Sequence, residues 1–515
     1  MSQPATPQFG KLRSFFWPIY SYELKKILPM LLMFFFINFN YTVLRDTKDT
    51  LVITASGAET ILFLKTWGVV PCAFIFLILY AKLSNILSRE GLFYAAIVPF
   101  IAFFALFVTV LYPNRELLHP HASADYLESV LPVGLHGLVA CFRNWTYSLF
   151  YIFAELWGSA VLSLMFWGFA NEITRVSESK RFYTLFGVGA NVAMLISGPA
   201  IVYFSDIRAF IPAGVDAWQV SLNYLMGMVV AAGVAIIGIY WWMNRNVLTD
   251  PRFYDKSDVK SGKKSKPKMG IMESFAYLAR SKYILCIAMV VIAYGVSINL
   301  VEVTWKGQLK LQYPDPNDYS RFMGYFSTCI GAATIVMLFV GGWMIRTFGW
   351  GVGAATTPVI LLLTGSLFFA FILFRDNLSG LMAVMGTTPL FAAVLFGAIQ
   401  NVMSKSTKYS LFDPTKEMSY IPLDPESKVK GKAAIDVVGA RLGKSGGAFI
   451  QQGLIIFLNT TIAGITPYVA VIVIGVSVVW LYSVRSLNTQ FLDLTKEEKV
   501  PAQDGKKESL ATANA

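Results

Sequence analysis

Long apolar runs recur along this 515-residue chain and constrain its fold more than any other feature. A helix needs about 20 mostly apolar residues to span a bilayer. On that criterion the chain contains twelve candidate spans, near residues 27–44, 61–81, 91–112, 138–172, 182–205, 220–243, 284–305, 322–345, 350–374, 382–403, 433–459 and 463–484. The sequence therefore predicts an all-α membrane protein with twelve transmembrane helices.

The composition supports a membrane protein and argues against several other classes. Hydrophobic residues make up 55% of the chain and charged residues only 14%, below the roughly 25% of soluble domains. The four cysteines show no CxxC spacing, which disfavours a metal site or a disulfide framework. The three histidines share one short loop region and are interpreted as ordinary loop residues rather than a proton relay. No metal or cofactor is predicted.

The candidate spans divide into two sets of six. A polar, Lys-rich segment separates them and predicts a major-facilitator-like fold, in which the transport pathway runs between two six-helix halves. The predicted divisions are an N-terminal segment 1–26, a first bundle 27–243, the linker 244–283, a second bundle 284–485 and a C-terminal tail 486–515.

Lysine and arginine collect on one side of the predicted topology. With both termini in the cytoplasm, 31 of the 43 basic residues lie inside, as the preference for positive cytoplasmic loops requires. The first 26 residues are polar and basic without a cleavable signal, so a bacterial inner membrane is the expected location. The net charge of +12 is attributed to topology and to contact with anionic lipid rather than to nucleic acid.

Charged residues within the spans are the strongest indication of function. Glu155 lies near the middle of the run 138–172, and Lys65 and Lys444 lie in similar surroundings. An isolated charge in hydrocarbon costs at least about 2.5 kcal/mol, so these side chains must face protein, water or a partner of opposite charge. Ionisable residues at this depth usually line a path or a binding site. The sequence therefore indicates a carrier.

Span eleven combines small residues with two cations. Arg441 and Lys444 share one face of the predicted helix and are interpreted either as anion ligands or as side chains that extend toward lipid headgroups. Small residues recur every four positions and predict close packing against another helix, at Gly439, Gly443 and Gly447.

Lys65 and Glu302 each leave two interpretations open. Lys65 lies a few residues inside span two, from where its long side chain can also reach the outer headgroups. Glu302 lies near the outer end of span seven, and an i,i+4 ion pair with Lys306 explains it equally well.

A shared cavity is the hypothesis that accounts for these charges together. Each half then supplies one cation and one carboxylate, Lys65 with Glu155 and Lys444 with Glu302. Such a cavity can hold a polyphosphate on its lysines, with Arg441 assisting. The carboxylates would hold the cations when the cavity is empty.

Two further groups of residues are secondary candidates. Trp67, Trp157 and Trp305 each lie close to one of these charges and are candidates for stacking on a base, although packing is the commoner use of such rings. The segment 45–49 alternates in sign and is interpreted as a self-neutralising cap on span one or as a gate between the halves, through Arg45, Asp46, Lys48 and Asp49.

Several stretches around these residues resemble one known family. They are FNYTVLRDTKD at 39–49, FLKTW at 63–67, AELWGS at 154–159, INLVEVTWK at 298–306, KYSLFDP at 408–414 and LGKSGG at 442–447. Over about residues 20–490 the chain is similar to the ATP/ADP translocases, the nucleotide transporters of plastids and obligate intracellular bacteria.

The resemblance implies a function and a set of site residues. It implies antiport of external (host) ATP against internal ADP, together with phosphate, as in an energy parasite such as a chlamydia-like bacterium. It also implies that four residues match the charged transport residues of the family: Lys65, Glu155, Glu302 and Lys444.

Other functions are weighed against exchange. One alternative is a broader nucleotide transporter or a proton-coupled importer on the same scaffold, with Glu155 or Glu302 accepting the proton. Another is a receptor that binds nucleotide without flux. An enzyme is disfavoured, because the sequence shows no metal cluster, nucleophile triad or phosphate-binding loop. A monomer is expected, since the pathway of this architecture lies within one chain.

Overall fold

The computed structural model describes residues 17–212, 214–254, 281–424, 431–432, 435 and 440–497. The side chains at 176, 177, 180, 440–442, 444 and 495–497 are outside this description. Most of the predicted linker, including its Lys-rich part, also lies outside the described residues.

The described chain is almost entirely helical and falls into two sets of helices. The first set comprises α1 Leu24–Ser56, α2 Glu59–Ile86, α3 Arg89–Leu111, α4 Trp145–Ile173, α5 Val176–Asp206 and α6 Ala217–Asn246. Three short helices join α3 to α4, namely Arg115–Leu118, His121–Val130 and His136–Arg143. The second set comprises α7 Lys282–Gln312, α8 Pro316–Leu373, α9 Arg375–Val384, α10 Pro389–Ser419, α11 Ala440–Phe457 and α12 Ile462–Glu497. We call the interface between α1–α6 and α7–α12 the seam.

The number of membrane crossings differs from a simple count of helices. Within the described residues, nine helices are long and apolar enough to span a bilayer, and ten if α9 and α10, which meet at a bend of 95°, form one span. The 58-residue α8 is broken at Gly349, whose φ of 83° lies in the left-handed region that favours glycine. The two predicted runs 322–345 and 350–374 lie on either side of that break. The figure of twelve spans stays a prediction.

Polar side chains at the helix starts explain where several spans begin. Ser88, Asp216 and Thr388 precede α3, α6 and α10, and each side chain accepts a hydrogen bond from a backbone N–H of the first turn. Asp315 does the same for α8, which begins with Pro316, a residue that suits the first helical position. The loops between the apolar runs therefore also encode the ends of the helices.

Glycines allow the closest contact between α7 and α11. Gly295 of α7 faces Gly443 of α11, and Gly447 lies against the backbone of Val296 one turn further on. The predicted small-residue face of span eleven is thus confirmed at 443 and 447, while 439 lies outside the described residues. Short backbone distances of this kind are typical of helix pairs in membranes.

Gly295→Ala is expected to lower the free energy of unfolding by about 1–3 kcal/mol, the usual cost of overpacking. A Cβ added at Gly295 would lie 2.5 Å from the Cα of Gly443, and a backbone atom cannot move aside as a side chain can. Gly475→Ala in α12 is the matched control, because within the described residues no atom lies within 4 Å of its added Cβ. Thermal unfolding in detergent measures both variants. Equal stability of Gly295→Ala and wild type would contradict the close packing of α7 and α11.

Candidate functional site

Five consecutive polar residues in α1 form the core of the candidate site. Asp46, Thr47, Lys48, Asp49 and Thr50 are each at most 3% exposed. Successive side chains of a helix point in different directions, so such a run is buried only where other helices surround it. α1 meets this condition, because it contacts α4, α5 and α6 of its own half and α7 and α8 of the other.

On the side of the first half, Lys48 joins two carboxylates. Its Nζ lies 2.9 Å from Oδ1 of Asp49 and 3.0 Å from Oε1 of Glu155 in α4. The same ammonium lies 4.0 Å from the centre of the Tyr151 ring, an additional favourable contact for a buried cation. The side chain of Glu155 is 32% exposed, so this end of the arrangement is accessible.

The ion pairs continue across the seam into the second half. Oδ2 of Asp49 lies 2.8 Å from Nζ of Lys306 in α7. Oε1 of Glu302, one turn earlier in α7, lies 3.1 Å from Nζ of Lys306 and 3.2 Å from Nζ of Lys405 in α10. Together these contacts make one chain of alternating charge, which we call the central charge chain: Glu155, Lys48, Asp49, Lys306, Glu302 and Lys405.

A second polar contact crosses the seam beside the central charge chain. Arg45 donates from Nε to Oδ1 of Asp46 at 3.0 Å and from Nη2 to the hydroxyl of Ser327 in α8 at 2.7 Å. The Ser327 hydroxyl in turn donates to Oδ2 of Asp46 at 2.5 Å. The four charged residues predicted as a cap or gate, at 45, 46, 48 and 49, therefore all make polar contacts at the seam. Their role as a gate stays a prediction.

Lys65 also reaches across the seam, but not to the predicted carboxylate. Its Nζ donates to Oδ1 of Asn299 in α7 at 3.2 Å. Glu155, the carboxylate grouped with Lys65 in the shared-cavity hypothesis, pairs with Lys48 in this structure. A common substrate site for Lys65 and Glu155 stays a prediction. Helical geometry explains the pairing of Lys48 with Glu155, since residues 45–49 follow each other through more than one turn and present Lys48 directly to α4.

Glu302 makes the i,i+4 ion pair with Lys306 that the sequence offered as one interpretation, and it also pairs with Lys405. The side chains of Arg441 and Lys444 lie outside the described residues, and their part in a substrate site stays a prediction. Within the described residues, the central charge chain and Lys65 together contain an excess of cations, four lysines against three carboxylates: Lys48, Lys65, Lys306 and Lys405 against Asp49, Glu155 and Glu302.

The three tryptophans occupy different surroundings. Trp157 and Trp305 are fully buried, and their indole N–H groups donate to the carbonyls of Ile37 and Val394. Neither ring has a free face in this conformation. Trp67 is 67% exposed. Stacking of a base on Trp157 or Trp305 would therefore require the helices around them to separate.

Turns of π-helix flank the charged residues in three helices. Lys65 lies in the π-helical segment Leu64–Val69 of α2, and the segment Gly158–Phe166 of α4 begins three residues after Glu155. A third segment, Lys408–Phe412 of α10, begins three residues after Lys405. An extra residue in a helical turn changes the direction of nearby side chains, and such turns are frequent at functional sites.

Lys405 is the member of the central charge chain that sequence reasoning missed. The predicted span ended at 403, so Lys405 was assigned to a cytoplasmic loop, whereas α10 continues to Ser419. A signal was present, because Asn401, Lys405 and Lys408 follow at intervals of four and three and mark one polar face. Lys306 was considered only as the i,i+4 partner of Glu302, and its contact with Asp49 required the tertiary structure.

One end of the seam is closed by polar contacts between the halves. We call this end the sealed end. It contains the connecting segments 57–58, 112–144, 207–216, 313–315 and 458–461. Arg208 lies 3.1 Å from Asp315 and 2.5 Å from Asp318, and Arg321 lies 3.1 Å from Asp206. Among contacts whose two partners are both described, all hydrogen bonds and ion pairs between the halves lie in the part of the bundle nearer this end.

A bundle of membrane-spanning helices with a charged seam between two halves defines a membrane transporter of the major-facilitator-like class. The fold is similar to the crystal structure of a bacterial homologue of the iron transporter ferroportin in an inward-facing state, with a TM-score of 0.54, 13% identity and coverage of 92% of this chain and 99% of that chain. At this identity the similarity concerns the fold alone.

Sequence comparison then identifies the family. Residues 2–491 match the model of the TLC ATP/ADP transporter family, and the chain belongs to that family. It is 61% identical over 510 residues to ADP,ATP carrier protein 1 of Chlamydia pneumoniae, which covers 98% of this chain and 99% of the relative. It is 54% identical over 479 residues to the chloroplastic ADP,ATP carrier protein 2 of Arabidopsis thaliana, covering 93% of this chain and 76% of the relative.

Proposed function

We propose that this chain exchanges external ATP for internal ADP across a membrane by alternating access of a site at the seam. The central charge chain is the observation that carries the proposal, because it places lysines from both halves together at the interface that must open and close. The names of the related carriers support the choice of ATP and ADP as substrates. Phosphate accompanies ADP in the proposed reaction.

The charge balance explains how a nucleotide binds. Each lysine of the central charge chain is held by a carboxylate, which lowers the cost of burying the cation in an empty site. The phosphates of ATP or ADP form charge-assisted hydrogen bonds with the same ammonium groups and displace the carboxylates. The excess of cations favours an anion over the empty state. Lys65 extends this site, because its described partner is the neutral amide of Asn299.

The same exchange of partners explains coupled transport. The ion pair between Asp49 and Lys306 joins the halves, so it must break before the sealed end can open. Separating this pair without replacement leaves Asp49 with Lys48 alone and Lys306 with Glu302 alone, and losing a buried charge–charge contact in this way costs free energy. A bound phosphate supplies the replacement for Lys306. The loaded carrier therefore reorients more readily than the empty one, which makes transport an exchange.

The distribution of basic residues supports an orientation for this cycle. If positive loops are cytoplasmic, both termini lie in the cytoplasm and the sealed end faces outward. The structure then corresponds to a conformation closed to the outside. In this proposal the chain is a multi-pass monomer in a bacterial inner membrane, surrounded by anionic lipid.

Counterflow in proteoliposomes tests the proposed function. Labelled ATP is supplied outside purified protein in liposomes loaded with ADP, with ADP plus phosphate, or with buffer alone. We expect rapid uptake against internal ADP and at least about tenfold slower uptake into empty liposomes, since tenfold corresponds to only about 1.4 kcal/mol between the loaded and empty barriers. Faster uptake with internal phosphate would support its co-transport.

Three results would contradict exchange. Equal uptake into empty and ADP-loaded liposomes would indicate uniport. Uptake into empty liposomes that appears only with an imposed pH gradient would indicate the proton-coupled importer instead. Saturable ATP binding without any uptake would indicate a receptor.

A further inference from the structure

Tyr409 is an exposed aromatic ring on an otherwise buried turn of α10. Its neighbours Ser410, Leu411 and Phe412 are at most 5% exposed, whereas Tyr409 is 50% exposed. All four belong to the π-helical segment Lys408–Phe412, whose altered turn places Tyr409 on the opposite side from the packed residues. A tyrosine in this position requires an explanation other than packing within its own half.

The surroundings of Tyr409 leave one face of its ring available. Nζ of Lys408 lies 4.5 Å from the centre of the ring, a distance typical of a cation–π contact. Asp413 fixes that lysine, with its Oδ2 3.0 Å from Nζ. The charged pair therefore covers one side of the ring, and the exposed fraction of Tyr409 belongs to the rest of its surface.

A second tyrosine, Tyr41, lies on α1 in the other half. It precedes Arg45 by one turn, on the face of α1 that carries Lys48 to Glu155 of the central charge chain. Its ring packs on α4 at Gly158, where an added Cβ would lie 2.8 Å from the ring carbon Cε2. The lack of a side chain at 158 thus allows the Tyr41 ring to pack against α4. Tyr409 follows Lys405 by four residues and therefore lies one turn further along the face of α10 that carries Lys405 to Glu302 and the central charge chain.

From this arrangement we infer that Tyr409 and Tyr41 form the subsite that binds the adenine base, with the base stacked on the open face of the Tyr409 ring. This inference rests on the proposed function. A purine offers a large flat aromatic surface, and rings of this kind favour stacking with offset faces. The phosphate ligands lie about one helical turn from the two rings, because Tyr41 packs at Gly158, three residues after Glu155, and Tyr409 follows Lys405 by four residues. One nucleotide can therefore bridge the central charge chain and the tyrosine pair.

Replacing Tyr409 tests the inference in proteoliposomes that carry out ATP/ADP exchange. Stacking of a base on an aromatic side chain is lost on alanine substitution, so Tyr409→Ala is expected to raise the KM for ATP about 5- to 150-fold. Tyr409→Phe keeps the aromatic ring, so its KM for ATP is expected to stay within about twofold of the wild-type value. This change is much smaller than the increase in KM expected when the ring is removed. Inorganic tripolyphosphate, which carries the phosphates without a base, is expected to inhibit wild type and Tyr409→Ala with the same inhibition constant.

A matched control separates stacking from general damage. Tyr482 lies on α12 and is 70% exposed, so Tyr482→Ala removes an equally large exposed ring elsewhere in the bundle and should leave the KM unchanged. If Tyr409→Ala does not fold, Tyr409→Leu removes the aromatic face while keeping an apolar side chain and serves the same comparison.

Two outcomes would overturn the inference. One is an unchanged KM for ATP in Tyr409→Ala or Tyr409→Leu. The other is an equal loss of affinity for ATP and for tripolyphosphate, because a base subsite does not affect a ligand without a base. Absence of exchange in wild-type protein would instead overturn the proposed function, so the two failures are distinguishable.

Discussion

Lys306→Gln is expected to destabilise the protein by about 3–5 kcal/mol and to abolish ATP/ADP exchange. Lys306 is the lysine that joins the halves, with Nζ 2.8 Å from Asp49 and 3.1 Å from Glu302. Its removal leaves the buried Asp49 with Lys48 alone and leaves Glu302 with Lys405 alone. Thermal unfolding in detergent measures the stability, and counterflow in liposomes measures the exchange.

A double variant distinguishes the structural from the transport role of this ion pair. Asp49→Asn combined with Lys306→Gln replaces both charges by neutral amides, so most of the lost stability should return while exchange stays low. Lys82→Gln, at an exposed lysine, is the control for loss of one positive charge. Full exchange in the double variant would show that the pair is structural only, and wild-type stability of Lys306→Gln would show that Lys48 and Lys405 alone compensate Asp49 and Glu302.

Glu302→Gln is expected to separate binding from transport. Glu302 holds Lys306 and Lys405 through one carboxylate oxygen, and it competes with phosphate for both lysines. Without that competition ATP should bind at least as tightly as to wild type. The empty site would contain an uncompensated cation, so the step that resets the carrier should slow and exchange should fall about 100-fold, equivalent to about 2.7 kcal/mol in the barrier. Calorimetric titration of ATP in detergent and exchange in liposomes measure the two quantities.

Two other patterns of binding and exchange would assign Glu302 a different role. If both ATP binding and exchange are lost, the carboxylate contacts the substrate directly. If neither changes, Glu302 is not part of the cycle. Glu116→Gln, at a largely exposed carboxylate outside the central charge chain, controls for the loss of one negative charge.

The sequence-based prediction and the structure agree most closely where the apolar content of a segment determines whether it forms a membrane-spanning helix. The apolar runs at 27–44, 61–81 and 91–112 correspond to α1, α2 and α3, because a lipid-spanning segment is identified by its own composition. The agreement is weaker where polar residues enter a helix. The run 382–403 stops short of the end of α10 at Ser419, since the polar face of that helix was interpreted as a loop.

The charged residues show which features of the site can be predicted from the sequence and which cannot. The cost of a charge in hydrocarbon identified Glu155 and Glu302 as residues that need partners, and the structure supplies partners for both. The cost is a property of the single residue, whereas the choice of partner depends on which helices meet. Lys48 and Lys405 were therefore not assigned to these carboxylates, although the Arg45–Asp49 segment had been singled out.

The amino-acid sequence by itself determined that this protein is a bundle of membrane helices in two halves with charges at depth, because hydrophobicity and the cost of burying charge are local quantities. Only the tertiary structure decided that α1, α4, α7 and α10 bring Glu155, Lys48, Asp49, Lys306, Glu302 and Lys405 into one chain of ion pairs. Those contacts join residues far apart in the sequence, and their geometry depends on the packing of whole helices across the seam.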